Sequence, residues 1–122
     1  MIASLLAALA LQAATIDPIE QACYDKDHSQ MAMNICAGEA FERADAELNR
    51  HWKSVLADSD AAWKKIMIEG QRGWLKYRDS QCEIVAYAER GGSMWPMVIS
   101  GCRADMTRQR VQQLVDLLSE GD

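Results

Sequence analysis

Apolar side chains recur with a helical period along most of the chain. Residues 29–56 contain no proline and only one glycine. Apolar residues three or four positions apart fall on one side of a helix that turns about 100° per residue. They are Ala37, Phe41, Ala44, Leu48, Trp52 and Val55. Ser29 supplies the side-chain oxygen that suits an N-cap, so the pattern predicts a first long helix over residues 29–56.

Two further helices follow the same pattern. The polar turn at residues 58–60 contains capping residues for a second helix, predicted over residues 60–90 and ended by Gly91 and Gly92. Ser93 is the predicted N-cap of the third helix. The second helix carries Trp63, Met67, Gly70, Trp74, Arg78 and Val85 on one stripe. The third carries Ile99, Cys102, Met106, Arg110, Leu114 and Leu117.

The whole pattern predicts an all-α protein. No segment alternates apolar and polar residues with a period of two, as a half-buried strand does. Short turns between long helices favour a small antiparallel bundle of three main helices, with a short N-terminal helix around residues 18–24. A length of 122 residues suits one domain. The 49% hydrophobic and 25% charged composition excludes a disordered chain.

The N-terminus has the composition of an export signal. Residues 1–14 contain no charged side chain and end in small residues, as the apolar region of a signal peptide does. We expect cleavage after Ala13 or Ala14, which leaves a single domain over residues 15–122, periplasmic or secreted. The alternative is a buried first helix. The uncharged stretch is too short for stable membrane insertion as a helix.

Four cysteines agree with export. An even count in a short exported chain indicates two disulfides, with three ways to pair them. Cys36 lies about 120° from the apolar stripe of the first helix and is well placed for Cys23. Cys82 and Cys102 lie about equally far from the turn between their helices. We therefore favour Cys23–Cys36 with Cys82–Cys102, while Cys36–Cys82 with Cys23–Cys102 stays open.

Charge and motif content narrow the function classes. The formal net charge of −5 disfavours a nucleic-acid binder and suits a cationic partner. The gaps between cysteines do not form the close pairs of a zinc site, and His28 and His51 have no ligand neighbour at helical spacing. We expect no metal and no cofactor. Phosphate-binding and hydrolase motifs are also lacking, and no second acid accompanies Asp45, so we expect no enzyme.

Four polar residues lie on or near the apolar stripes: Asp45, Gln71, Arg78 and Arg110. Counting residues from the two turns places Asp45, Gln71 and Arg110 at one level of the bundle. A carboxylate, an amide and a guanidinium there can satisfy one another. They could line a cleft, but we favour a structural network that fixes the register of the helices, and we expect Asp45 and Arg110 to be coupled.

The turn before the third helix is a candidate contact surface. Gly92, Ser93, Met94 and Trp95 follow Gly91 at a corner close to a predicted disulfide. An exposed aromatic residue on a constrained corner suits partner binding. The alternative is that Trp95 folds back onto the helix as a hydrophobic staple.

Several short segments of the chain occur together in one known family. They are MNICA at 33–37, ADAELN at 44–49, QRGW at 71–74, YRDSQC at 77–82, GGS at 91–93, Cys102, TRQR at 107–110 and Leu114. In the order and spacing of these segments the sequence resembles the family named for the lysozyme inhibitor LprI, in its N-terminal domain. The resemblance extends over roughly residues 23–118.

The resemblance implies a small, helical, disulfide-bonded bacterial envelope or secreted protein. Two functions follow from it. In the first, the protein binds and inhibits a cationic lysozyme-type muramidase, and its −5 charge assists the encounter. In the second, it is a structural or interaction module of the cell envelope without a lysozyme target. The sequence does not fix the oligomeric state.

Overall fold

The computed structural model describes residues 16–120, and most of that range is helical. It contains α1 (Pro18–Lys26), α2 (Gln30–Ala57), α3 (Ala61–Val85), a short 3₁₀ helix (Tyr87–Glu89) and α4 (Trp95–Glu120). No strand occurs among the described residues, so the all-α prediction is confirmed. The described residues form four α-helices: three long ones and α1, which corresponds to the short N-terminal helix expected around residues 18–24 and is two residues longer at its end.

The helices begin where capping side chains occur. The Asp17 carboxylate accepts a hydrogen bond from a backbone N–H at the start of α1. The Ser29 hydroxyl accepts from the Ala32 N–H at 3.2 Å, and the Asp60 carboxylate from the Trp63 N–H at 2.8 Å. Each bond satisfies one of the backbone donors that a helix leaves free at its start. The predicted starts of the first two long helices are correct to within one residue.

The connection between α3 and α4 is longer than the sequence pattern predicted. The second long helix ends at Val85 instead of residue 90, because the backbone leaves the α conformation at Ala86 and continues as the 3₁₀ helix. Gly91 then adopts φ +79°, a left-handed conformation that glycine adopts without strain. The next α-helix begins at Trp95, two residues after the predicted cap Ser93.

The core has a large cluster and a small one. The large cluster joins α2, α3 and α4 through Leu48, Val55, Met67, Val111 and Leu114. The small cluster lies near the corner and consists of Cys82, Ala86 and Ile99. The most extensive contact between two helices is that of α2 with α4. Buried alanines at positions 37, 40, 44 and 104 fit this close approach, because a methyl side chain keeps two helices near each other.

Three residues of the apolar stripe predicted for the second long helix are outside the core: Trp63, Gly70 and Val85. The side chain of Trp63 is 39% exposed and that of Val85 is 51% exposed. Trp63 is in the first turn of α3 and Val85 is its last residue, so each lies at an end of the helix that its neighbours do not cover. Gly70 is exposed in the middle of the helix, whereas Met67 and Arg78 of the same predicted stripe are buried.

Two disulfides cross-link neighbouring helices. Cys23–Cys36 joins α1 to α2 with the Cα atoms 5.8 Å apart, and Cys82–Cys102 joins α3 to α4 at 5.6 Å. These are the pairs favoured from the sequence, and the alternative pairing is not formed. Each bond contributes about 3 kcal/mol by the loop-entropy model, because it closes a loop of moderate length.

The predicted signal peptide, residues 1–14, lies outside the described residues. Within residues 16–120, no helix combines the length and the apolar composition needed to cross a membrane.

Candidate functional site

Arg78 is a charged side chain inside the helical bundle. The residue is 8% exposed. Its guanidinium lies over the ring of Phe41 at 5.1 Å and over that of Trp74 at 5.4 Å. One terminal nitrogen donates to the buried Thr107 hydroxyl at 3.4 Å. The cation is therefore stabilised by two aromatic faces and a hydroxyl from three different helices.

Two carboxylates complete the surroundings of Arg78 at the surface. Asp45 lies 3.9 Å from a terminal nitrogen, and Asp79 accepts from Nε at 3.0 Å. Asp79 also pairs with Arg103 at 3.5 Å. The side chains of Asp45 and Asp79 are 44% and 50% exposed. The buried cation therefore has half-exposed counter-ions, which lowers the cost of its burial.

The predicted pairing of Asp45 with Arg110 is wrong. Arg110 donates from Nε to the Gln71 side-chain oxygen at 2.9 Å, and its guanidinium lies 5.6 Å from the Trp74 ring. Burial lowers the pKa of Arg110. The four predicted polar residues therefore form two groups, Asp45 with Arg78 and Gln71 with Arg110. The ring of Trp74 contacts both arginines.

The error concerns the level of α2, because Gln71 of α3 and Arg110 of α4 meet as predicted. Counting from the turn put Gln71 at the level of Asp45, but Arg78 occupies that place. Arg78 is seven residues further along, which is about 10 Å of helix. The register of α2 against α3 therefore differs from the one that residue counting gives. The arrangement performs ion pairing and stacking between helices, as expected for a structural network.

A second polar cluster attaches α1 to the bundle. Glu20 is 5% exposed and accepts a hydrogen bond from the Tyr24 hydroxyl at 2.6 Å. Arg108 lies 3.8 Å from Glu20 and also pairs with Asp105. Burial, followed by the hydrogen bond to Glu20, raises the pKa of Tyr24. Sequence analysis missed this cluster because α1 is too short to show a clear period.

An ion pair closes the other side of α1. Asp17 and Arg43 are 2.8 Å apart, and this hydrogen bond lowers the pKa of Asp17. The pair borders an open groove of about 590 Å³ into which Arg50 and Arg108 also project. Both Asp17 and Glu47 lie beside these arginines, so the groove carries charges of both signs.

The corner, residues 91–95, is largely exposed and firmly attached. Gly92, Ser93 and Met94 are exposed, and Met94 is 40% accessible to solvent. Trp95 is half-buried and packs on the small core cluster. This position agrees with the alternative prediction, in which the Trp95 side chain folds back onto the protein. The Ser93 carbonyl accepts a hydrogen bond from the Asn34 side chain at 2.9 Å, which ties the corner to α2.

An apolar groove of about 380 Å³ lies beside the corner. Its walls are Ile84, Tyr87 and Trp95, with Glu83 and Arg90 at its edge. Ile84 is 69% exposed and Tyr87 is 63% exposed. Sequence analysis missed both, although large apolar residues away from the core-facing stripe of the predicted helix over residues 60–90 are the signal that could have found them. Together the corner and this groove form the corner surface.

Among residues 16–120, no three His, Cys, Asp or Glu side chains form a group that could hold a metal ion.

These features define the class: a small helical protein, cross-linked by two disulfides, whose buried ionic groups hold helices together and whose apolar groove lies beside a constrained corner. The chain belongs to the lysozyme inhibitor LprI family, whose model matches residues 21–114. The family resemblance found in the sequence is therefore confirmed.

An uncharacterized protein of Rhizobium meliloti (strain 1021) is 41% identical over 107 aligned residues, which cover 77% of each chain. No solved structure matches the chain significantly.

Proposed function

We propose that this protein is exported and that it binds and inhibits a lysozyme-type muramidase. The observation that carries the proposal is the match of residues 21–114 to the lysozyme inhibitor family. The relative from Rhizobium meliloti is uncharacterized and adds no activity of its own. We infer that the protein acts by binding rather than by catalysis, and that the polar groups around Arg78 serve the fold.

The corner surface is the proposed contact with the enzyme. Tyr87 and Met94 offer exposed apolar area, and aromatic side chains are frequent anchors of interfaces. The Cys82–Cys102 bond and the Asn34–Ser93 hydrogen bond hold the corner in place. A surface that is ordered before binding loses less entropy when it enters a cleft.

Electrostatics supports the same proposal. The net charge of −5 attracts a cationic enzyme over a distance of about one Debye length, roughly 8–10 Å in physiological salt. Glu83 lies at the edge of the groove, and Asp45 and Asp79 are half-exposed on the adjoining helices. These acids favour encounter with a basic surface more than they add affinity.

The test is a titration of several lysozymes with the oxidised protein, with residual activity as the readout. Tyr87→Ala combined with Met94→Ala should weaken inhibition at least about tenfold, the loss of about 1.4 kcal/mol expected for interface anchors. Met31→Ala is the matched control, because Met31 is 75% exposed on α2. Thermal melts of each variant separate a lost contact from a lost fold.

The outcomes distinguish the two functions. If wild type inhibits none of the enzymes, the envelope-module hypothesis replaces the inhibitor hypothesis. If wild type inhibits and the double variant does so equally well, the contact lies away from the corner surface.

Export has its own test. Mass spectrometry of the protein secreted or released from the envelope should show an N-terminus at Ala14 or Thr15. An N-terminus at Met1 would contradict the proposed signal peptide.

A further inference from the structure

A second line of apolar and small residues runs along α3 on a side that the core does not use. Its members are three or four positions apart, the spacing at which residues share one helix face. They are Trp63, Ile66, Gly70, Gly73 and Tyr77. All five are exposed, Ile66 by 65% and Tyr77 by 58%. We call these residues the α3 stripe.

The two glycines of the α3 stripe have no packing role within one molecule. A Cβ atom added at Gly70 or Gly73 would meet nothing within 4 Å. Glycine inside a helix destabilises it by about 1 kcal/mol relative to alanine. Both positions lie in the middle of α3, where this cost applies in full. A glycine pair there is useful when another backbone approaches closely, which the isolated fold does not provide.

We propose that the α3 stripe is the interface between two copies of this protein, with the two α3 helices packed antiparallel. The axis of two-fold symmetry passes between Gly70 and Gly73. Ile66 of each copy then meets Tyr77 of the other, since both lie the same distance from the axis along the helix. Such an interface is self-complementary, as a symmetric dimer requires. This inference does not depend on the proposed inhibitory function.

The charges beside the α3 stripe fit this arrangement. Glu69 and Lys76 lie on one edge of it, seven residues apart and on nearly the same side of the helix. Within residues 16–120, neither side chain makes an ion pair. Antiparallel packing places Glu69 beside Lys76 of the second copy, twice in each dimer. Parallel packing would put this edge of the two copies on opposite sides of the interface and leave Glu69 and Lys76 without a partner, so the pattern favours the antiparallel form.

The size of the α3 stripe indicates a reversible dimer. From Trp63 to Tyr77 it covers about 21 Å of helix. One helix face of this length is small compared with stable interfaces, which bury about 1,200–2,000 Å² in total. We therefore expect association that depends on protein concentration.

Analytical ultracentrifugation of the oxidised wild-type protein, from low micromolar to near-millimolar concentration, tests the proposal. We expect a monomer–dimer equilibrium that Ile66→Glu abolishes. Ile35→Glu is the matched control, because Ile35 is also a large exposed residue, 55% accessible, on another helix. A wild type that stays monomeric over the whole range would overturn the proposal.

Charge reversal tests the antiparallel register without placing a charge inside the interface. Glu69→Lys and Lys76→Glu should each weaken the dimer about tenfold at low salt, because each creates two like-charge contacts. The double variant restores both attractions and should return to wild-type affinity. Circular dichroism checks that each variant is folded. If the dimer affinity of the double variant is reduced by the sum of the two single effects, the antiparallel arrangement is overturned.

The inhibition assay separates this proposal from the preceding one. Ile66→Glu should remain a full inhibitor if wild type is one, because the corner surface is unchanged. The opposite result is a wild type that stays monomeric and whose inhibition is lost in Ile66→Glu. It would overturn the dimer and would show that the α3 stripe contacts the enzyme instead.

Discussion

Arg78 is fixed by several interactions of different physical kinds. Its guanidinium stacks on Phe41 and Trp74, donates to Thr107 and has Asp45 as a counter-ion. These groups come from three helices, so the side chain orders the bundle as well as carrying charge. Because Asp45 is half-exposed, water can take its place as a partner of the Arg78 guanidinium. Water replaces the stacking on the two aromatic rings less easily.

This difference predicts unequal effects for the two partners of one ion pair. Arg78→Ala should lower the free energy of unfolding by about 3 kcal/mol, because it removes a buried side chain and leaves Thr107 without its donor. Asp45→Ala should cost less than about 1 kcal/mol, as exposed ion pairs do. Urea denaturation measures both. Equal, small losses would show that Arg78 does not support the core.

Asp17 makes part of the stability depend on pH. The hydrogen bond from Arg43 lowers the pKa of Asp17 below its ordinary value of 3.8. A lowered folded-state pKa gives stability that is present above about pH 4 and is lost as the pH falls through the folded value. Asp17→Asn keeps an N-cap but removes the charge.

Wild type should therefore be more stable than Asp17→Asn at pH 6, and the difference should shrink below pH 4. Urea denaturation of both proteins across this pH range measures the difference in the free energy of unfolding. The contributions of the other carboxyl groups are the same in both proteins and cancel in this difference. A difference that stays constant with pH would rule out a role for the Asp17 charge.

At the level of helices, the sequence predicted the starts of the first two long helices correctly, because local interactions determine them. Ser29 and Asp60 mark helix starts correctly, because an N-cap bonds to a backbone group within three residues. The pairing of Asp45 with Arg110 failed because helical periodicity gives the face of a residue and not the axial offset between two helices. The corner was found from its glycines, but Ile84 and Tyr87 were not.

The two disulfides should stabilise different parts of the molecule. Cys82–Cys102 joins two helices of the core. Replacing both cysteines by alanine should lower the free energy of global unfolding by about 3 kcal/mol, as the 20-residue separation predicts. Removing Cys23–Cys36 should mainly release α1, which contributes no residue to either apolar cluster.

Hydrogen exchange distinguishes these outcomes. Loss of Cys23–Cys36 should speed exchange in α1 and leave α4 protected, while loss of Cys82–Cys102 should speed exchange throughout. The same global effect in both variants would show that α1 unfolds only together with the rest.

At the scale of the whole molecule, net charge should control how fast a cationic enzyme is bound. The association rate constant should fall about tenfold or more between low and physiological salt, while the dissociation rate constant changes little. Stopped-flow binding at two salt concentrations measures both. Met94→Ala, which removes no charge, should instead raise the dissociation rate. An association rate independent of salt would exclude steering by the −5 charge.

Each half of the chain also contains one complete disulfide. Cys23–Cys36 lies wholly before the turn at residues 58–60, and Cys82–Cys102 lies wholly after it. Since all four cysteines are used, only the backbone of that turn connects the halves covalently. One proteolytic cut there would give two separately oxidised fragments, held together by the cluster around Leu48 and Leu114. The protein is therefore suited to fragment complementation, with each half made and oxidised on its own before the two are mixed.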